Sequence, residues 1–328
     1  MKGLISKTNS PSFNLATEEY LLRHTQEDVF FLYTNAPSII VGKHQNTLAE
    51  INYEFVNKAA IPIYRRLSGG GTVYHDDNNL NFCFIKSGKK GDLVNFERYS
   101  EPILLALNEL GIAATFGKRH DIQIAGKKVS GNASHVYKNR VMHHGTLLFR
   151  SDLSVLNKAL KNNPLIIKDK AVKSVRSEVA NISDYLNEDM NYNDFAKYIF
   201  QYLLRYYEND ALFELTEEQT NQIEAISESK FSTWEWNYGY SPNFELKRLY
   251  KLENGTRIKS HITVQKGIIT QSKIESTDGI IQKELNLISD TICGLQHHSS
   301  TLKNELVNIN FININKSNLE LINKGFFS

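Results

Sequence analysis

Through the first two thirds of the chain, short apolar runs alternate with stretches whose apolar residues recur every three or four positions. The first pattern predicts strands and the second amphipathic helices. Val29–Tyr33 and Ser38–Val41, rich in β-branched and aromatic residues, predict strands. Leu15, Ala16, Tyr20 and Leu21 lie at helical spacing and predict a helix over Phe13–His24, with Ser10 or Ser12 as its N-cap and Pro11 near its first turn. Pro62–Arg66, Val73–Tyr74 and Leu80–Ile85 predict further strands. A helix over Phe96–Leu110 meets Gly111, a residue suited to a left-handed stop. Lys128–Val136 and His143–Phe149 predict a strand pair turning at Lys138–Arg140. Asn193–Glu208 and Thr216–Ser229 predict helices, the second opening on a capping box at Thr216–Gln219.

The character changes after Trp234–Tyr240, where Ser241–Pro242 breaks the pattern. Three strand-like runs follow near Glu245–Leu252, Arg257–Val264 and Ile268–Ile274, the last two joined by a tight turn at Lys266–Gly267. Helical segments over Gly279–Thr291, Leu302–Val307 and Ser317–Asn323 complete the chain. The expected division is a first domain over residues 1–243 and a small α+β domain over 244–328.

Composition removes several classes of function. At 328 residues the chain buries a core without metal or disulfide staples. Its 38 basic and 36 acidic side chains leave a net charge of +2, so no general grip on nucleic acid is expected. Two cysteines, Cys83 and Cys293, make neither a disulfide framework nor a cysteine-rich zinc module. No stretch approaches the roughly 18 apolar residues of a membrane span. The opening residues carry no secretory pattern, so a cytoplasmic protein with no membrane partner is expected.

The candidate chemistry gathers in three segments. Arg65–Asp76 contains three consecutive glycines, Gly69, Gly70 and Gly71, preceded by Arg66 and Ser68 and followed by Thr72 and Val73. Consecutive glycines let main chain approach a ligand and turn amides toward an anion. Arg66 supplies a planar cation for carboxylate or phosphate. The segment is neither a P-loop nor a dinucleotide fingerprint, which disfavours both of those classes. In the second segment, His120–Ala133, one of the two lysines Lys127 and Lys128, most simply Lys128, shares a sheet face with the small Ser130, leaving room for a flat or anionic ligand; an ordinary exposed lysine pair at a hairpin is the competing reading. The third contains His143 and His144, which as strand neighbours point to opposite faces and cannot easily share one metal ion. Lys173–Ser177 reads either as a cationic loop that closes over phosphate or as a solvated one.

Together these segments resemble the lipoate–protein ligase A family, of the biotin/lipoate protein ligase superfamily, over essentially the whole chain. The carriers are SFNLATEEYLL at Ser12–Leu22, PSIIVGKHQN at Pro37–Asn46, RRLSGGGTVYHDDNNLNF at Arg65–Phe82, GKKVSGNA at Gly126–Ala133, HHGTLLF at His143–Phe149, KSVRSEVANIS at Lys173–Ser183 and WEWNYG at Trp234–Gly239. The resemblance implies an α/β catalytic domain with a mixed central sheet, similar to biotin–protein ligases, plus the small α+β domain. It implies that lipoate, or octanoate, attacks the α-phosphate of ATP with Mg²⁺, and that the acyl-adenylate is then taken by a lysine of a carrier. Implied carriers are lipoyl domains of 2-oxoacid dehydrogenase complexes, the glycine-cleavage carrier protein, or both. Lys128 matches the family's lysine that contacts both the lipoate carboxyl and the adenylate phosphate. Arg66, Gly71, Thr72, Val73, Tyr74, Asn79, Asp121, Ala133 and His144 match positions around ATP and the adenylate, with Asp121 a candidate Mg²⁺ ligand. Glu18, Tyr33, Arg66, Ser68, Gly69, Gly70, His75 and Lys128 match the lipoate-lining region. Where members often carry glycine in H-D-x-G-N, this chain has Asn78, which tolerates a left-handed turn. The superfamily also contains ATP-independent acyl transferases, some with a catalytic cysteine; here that role could fall only to Cys83, whose bland reading is a small buried hydrophobe.

Overall fold

The computed structural model describes residues 1–89, 91, 93–160, 166–208 and 211–327. The chain divides into two compact units, residues 1–43, 61–157 and 174–233, and residues 44–60, 158–173 and 234–328.

The first unit is built on a five-stranded mixed sheet ordered Lys2–Ile5, Val29–Thr34, Asn79–Ser87, Arg140–Leu148, Asn132–Tyr137. The first pair is parallel and the rest antiparallel. Because strand side chains alternate, each strand serves both faces. Phe30, Leu32, Phe82, Phe84, Val141 and Leu147 form one core with residues of helices Phe96–Glu109 and Tyr192–Tyr206, among them Ile103, Leu107, Phe195 and Ile199. Each such phenylalanine is worth roughly 1.5–3 kcal/mol of transfer free energy. The opposite face carries Tyr33, Cys83 and His144 and meets helix Pro11–His24. That helix begins where expected, with Ser10 as the N-cap and Pro11 in the first turn. Two three-stranded sheets complete the unit, ordered Ile63–Arg65, Ser38–Val41, Val73–His75 and Ala114–Phe116, Ile122–Ile124, Lys127–Ser130.

One expectation changes here. The run from Lys128 to Val136 is not one strand. It breaks at Gly131: Lys127–Ser130 joins the small antiparallel sheet, and only Asn132–Tyr137 pairs with Arg140–Leu148. Alternation of side chains does not reveal which partner a strand will choose. The turn after His75 also differs. Asn78 is not left-handed; the Asp76 carboxylate holds the turn instead, accepting the Asn78 and Asp152 amides at 3.0 and 2.8 Å.

The second unit carries a four-stranded antiparallel sheet, Ile166–Asp169, Phe244–Lys251, Arg257–Gln265, Ile268–Ser276. Its last hairpin turns through left-handed Lys266 and Gly267, as the sequence predicts. Helices Gln282–Ile292, Ser299–Val307 and Lys316–Lys324 belong to it, with two short helices, Thr47–Glu50 and Tyr53–Lys58.

Gly145 lies at the centre of the large sheet, where a Cβ would collide with the buried Phe82 ring and with Oδ1 of Asn132. Gly145→Ala is expected to lower unfolding free energy by about 1–3 kcal/mol. Equilibrium urea denaturation checks this, and an unchanged midpoint would contradict the packing described.

Candidate active site

The glycine-rich segment runs between strands Ile63–Arg65 and Val73–His75 and is organised by Arg66. Its guanidinium is buried at 6% exposure. Nε donates to Ser68 Oγ at 3.0 Å, Nη1 to the Ile40 carbonyl at 3.0 Å, and Nη2 to the carbonyls of Gly69 and Gly71 at 2.7 Å each. Gly70, with φ of +87°, makes the reversal between those two carbonyls without side-chain strain. Arg66 therefore shapes the loop from within. Arg65, the neighbouring cation, is fully buried and donates to the Gly42 and Lys43 carbonyls at 3.0 and 3.1 Å. Over the loop, Ser174 Oγ accepts the Thr72 amide at 2.9 Å, which brings the start of the expected cationic loop against Gly71.

Lys128 reaches the site from the small sheet. Its Nζ lies only 2.9 Å from where a Cβ on Gly131 would stand, so a side chain at 131 would displace the ammonium. Burial lowers its pKa, opposed by the charge of Asp121 and assisted by Arg119 and Arg66. Asp121 is itself buried, and its Oδ2 accepts from Gln123 Nε2 at 2.8 Å. Lys127, the alternative lysine, pairs instead with the exposed Glu178 at 2.9 Å.

Beneath the loop lies a connected polar array. Ser68 Oγ and His144 Nε2 are 2.6 Å apart, His144 Nδ1 is 2.9 Å from both oxygens of Glu18, and Tyr33 donates to Glu18 Oε1 at 2.9 Å. The connectivity is that of a Ser–His–carboxylate nucleophile, but Ser68 is fully buried and its oxygen already accepts from Arg66. The array braces loop, sheet and helix together. Cys83 lies beside His144 in register. Burial pushes its thiol pKa well up, as do the charge and hydrogen bond of Glu18. A thiol so held is a poor nucleophile.

The histidine doublet separates as expected. His144 faces this array, while His143 contacts Ser100 and Ser134 at 3.1 and 2.9 Å. Among the described residues no group of three His, Cys, Asp or Glu could hold a metal ion. Asp121 is a single carboxylate, which suits Mg²⁺ carried mainly on nucleotide phosphates and not a closed protein cage.

Direct contacts thus unite Glu18, Tyr33, Arg66, Ser68, Gly69, Gly71 and His144. Ala133 stands opposite His144 across the strand pair. Val73, Tyr74 and His75 form the strand that leaves the loop. Asn79 is fully buried and bonds to Asn81, not to any of the other expected site residues. Four buried polar atoms have no partner among the described residues within these same segments: His75 Nε2, Asn79 Oδ1, Ser130 Oγ and Asn132 Oδ1. Such atoms are costly unless a ligand or water meets them. Sequence reasoning missed Asn35, whose amide reaches His75, and Asn14, whose amide in turn donates to Asn35.

A family model described as the lipoyl protein ligase A/B catalytic domain matches residues 10–204, and one for the bacterial lipoate protein ligase C-terminus matches residues 241–323. The chain is 39% identical over 323 residues to a lipoate-protein ligase of Bacillus subtilis, covering 96% of this chain and 97% of that one. A solved lipoate-protein ligase A bound with ATP is 25% identical, with a TM-score of 0.63, over 73% of this chain and 100% of that one. A bi-partite lipoate protein ligase of Thermoplasma acidophilum, described with its E2 lipoyl domain, is 25% identical, with a TM-score of 0.63, over 73% and 96%.

Two outcomes follow from the burial of these groups. Native protein treated with iodoacetamide at neutral pH is expected to be modified at exposed Cys293 and not at Cys83, read by peptide mass spectrometry. Burial, first among the causes, brings both His75 and His143 down to about 3 from an ordinary 6.5. The unfolded chain then binds more protons between those values, so their stabilising effect is complete above pH 6.5 and is lost as pH falls toward 3. By pH 5 each is expected to reduce stability by about 1–2 kcal/mol relative to pH 7.5. A urea midpoint that does not fall over that interval would contradict the neutral, buried histidines.

Proposed function

The chain belongs to the lipoate–protein ligase family, and on that premise we propose how its site performs ATP-dependent ligation of lipoate. One carboxylate oxygen of lipoate attacks the α-phosphorus of ATP, and pyrophosphate leaves. The resulting acyl-adenylate is attacked at its carbonyl by the ε-amine of a carrier lysine, and AMP leaves as the amide forms. The supporting observation is the meeting of two features: a glycine loop held by Arg66, and a lysine that crosses a side-chain-free position at Gly131.

We assign Lys128 to the catalytic role of holding carboxylate and α-phosphate together. Two like-charged reactants need a cation between them, and its fixed position removes orientational freedom from the attack. Lys128, Gly71, Thr72, Val73, Tyr74, Asn79, Asp121, Ala133 and His144 surround the nucleotide. Arg66, Ser68, Gly69, Gly70, Glu18, Tyr33 and His75 surround the acid; Arg66, charged but already engaged with the loop, acts by shaping it and by its field. Asp121 would be the protein contact for Mg²⁺, which, bound with ATP, would neutralise phosphate charge. All of these residues fall in the first structural unit. We therefore assign both sites to residues 1–243 and an accessory role to 244–328.

The acceptors are lipoyl domains of 2-oxoacid dehydrogenase complexes and the glycine-cleavage carrier protein, with no nucleic-acid or membrane partner. Among the described residues no helix is long and apolar enough to cross a membrane, which accords with action in the cytoplasm. The high pKa of Cys83 disfavours a thioester transferase.

Lipoate-dependent pyrophosphate release without carrier tests the first half-reaction. Lys128→Ala is expected to slow it about 10²–10³-fold. Lys128→Arg should not restore it, because the forked guanidinium does not fit against Gly131 as an ammonium does. Purified protein that releases no pyrophosphate with lipoate or octanoate would refute this reading.

A further inference from the structure

Asn14 and Asn35 are fully buried and His75 is 3% exposed. Their hydrogen bonds fix which ring nitrogen of His75 carries the proton. Nδ2 of Asn14 faces the carbonyl oxygens of Thr8 and Thr34 at 3.2 and 3.1 Å, which can only accept. Its Oδ1 takes the Ser6 hydroxyl at 2.6 Å. The amide of Asn14 can therefore face only one way. The same Nδ2 meets Asn35 at 2.9 Å, so the Asn35 atom there is the acceptor Oδ1. The other arm of that amide is then an NH₂ group, 3.0 Å from His75 Nδ1. Nδ1 must offer a lone pair, and a neutral ring then carries its proton on Nε2. That Nε2 is buried and has no partner among the described residues.

We propose that Asn14 and Asn35 are positioning residues that lock His75 as an Nε2–H donor, and that this donor favours lipoate over a plain fatty acid by meeting a dithiolane sulphur. The assignment rests on the ligase reading above. The charges acting on Lys128 include Asp121, Arg119 and Arg66. Burial, first among the causes, keeps the His75 ring neutral, with the nearby groups acting on it being Arg66 and His144. Arg66 is the neighbour that the two share. In this proposal the acid's carboxylate rests at Lys128 and its chain runs past the shared neighbour Arg66 toward His75. Lipoate has two sulphurs at that end, and sulphur is a weak acceptor. Octanoate has only hydrocarbon there and leaves the N–H unpaired, which a binding site penalises.

The test compares acid-dependent pyrophosphate release by the full chain with lipoate and with octanoate at pH 8. Asn35→Asp puts an acceptor against Nδ1 and draws the ring proton to it. The lipoate-to-octanoate ratio of kcat/KM is expected to fall about five- to tenfold, mainly through the KM for lipoate. His75→Gln, which keeps an N–H donor, should retain more of the ratio than His75→Leu. A folding defect lowers both acids alike and leaves the ratio unmoved. Long-range ¹H–¹⁵N spectra should find His75 protonated on Nε2 in the unaltered protein and on Nδ1 in Asn35→Asp. If Asn35→Asp does not fold, the unaltered protein's tautomer and the two His75 variants decide. A ring protonated on Nδ1, or charged, in the unaltered protein overturns the lock. A ratio that neither Asn35→Asp nor His75→Leu moves overturns the selection while leaving the ligase reading intact. No release with either acid from the unaltered protein overturns both.

Discussion

The buried guanidinium of Arg66 is the constraint on which the site depends. Removing a cation from water is costly unless its donors are satisfied and its charge is balanced. Here one donor goes to a hydroxyl, three go to backbone carbonyls, and the Glu18 carboxylate acts on it electrostatically. Burial lowers its pKa to about 10, still far enough above neutrality to keep the charge. The same bonds that satisfy the cation give the glycine loop its shape. Loop geometry and charge balance are therefore one problem with one solution. Its outer members, Ser68 and Glu18, pass the restraint to His144 and Tyr33 on the large sheet.

That sheet separates two kinds of environment. On one side aromatic and aliphatic residues pack against two helices, and His143 takes part as a neutral ring between two serines. On the other side polar groups accumulate at low exposure. The dividing device is strand alternation, which sends adjacent histidines into different chemistry. Neutral His143 and the Glu18-bonded His144 owe their difference to one residue of register.

Much of this was legible in the amino-acid order. Ser10, Pro11 and Thr216 marked helix starts, and the C-terminal strands and helices appeared within a few residues of their places. The glycine segment and Lys128 pointed to a ligand site against the simpler readings of a flexible loop and an exposed lysine, and the structure shows the loop held by Arg66 and the lysine drawn over Gly131. Other features left no local trace. Nothing in Arg65-Arg66 tells that one guanidinium holds the main chain before the loop and the other holds the loop itself. Residues 47–58 and 166–169 join the C-terminal elements only through long-range packing. Asn14 and Asn35 sit in ordinary-looking stretches, and their meaning comes from amide orientation, which no periodicity encodes.

Cys83 acquires a different significance in a ligase whose substrate contains a cyclic disulfide. Exchange between a thiol and a disulfide proceeds through the thiolate, so its rate follows the deprotonated fraction. Burial first, and then the charge of Glu18 and its acceptance of the thiol's hydrogen bond, oppose that deprotonation. The carboxylate that braces His144 and Tyr33 thus adds to burial in disfavouring the thiolate of the neighbouring sulphur. An acid carrying an S–S bond can then be handled again and again without the protein becoming covalently trapped on it.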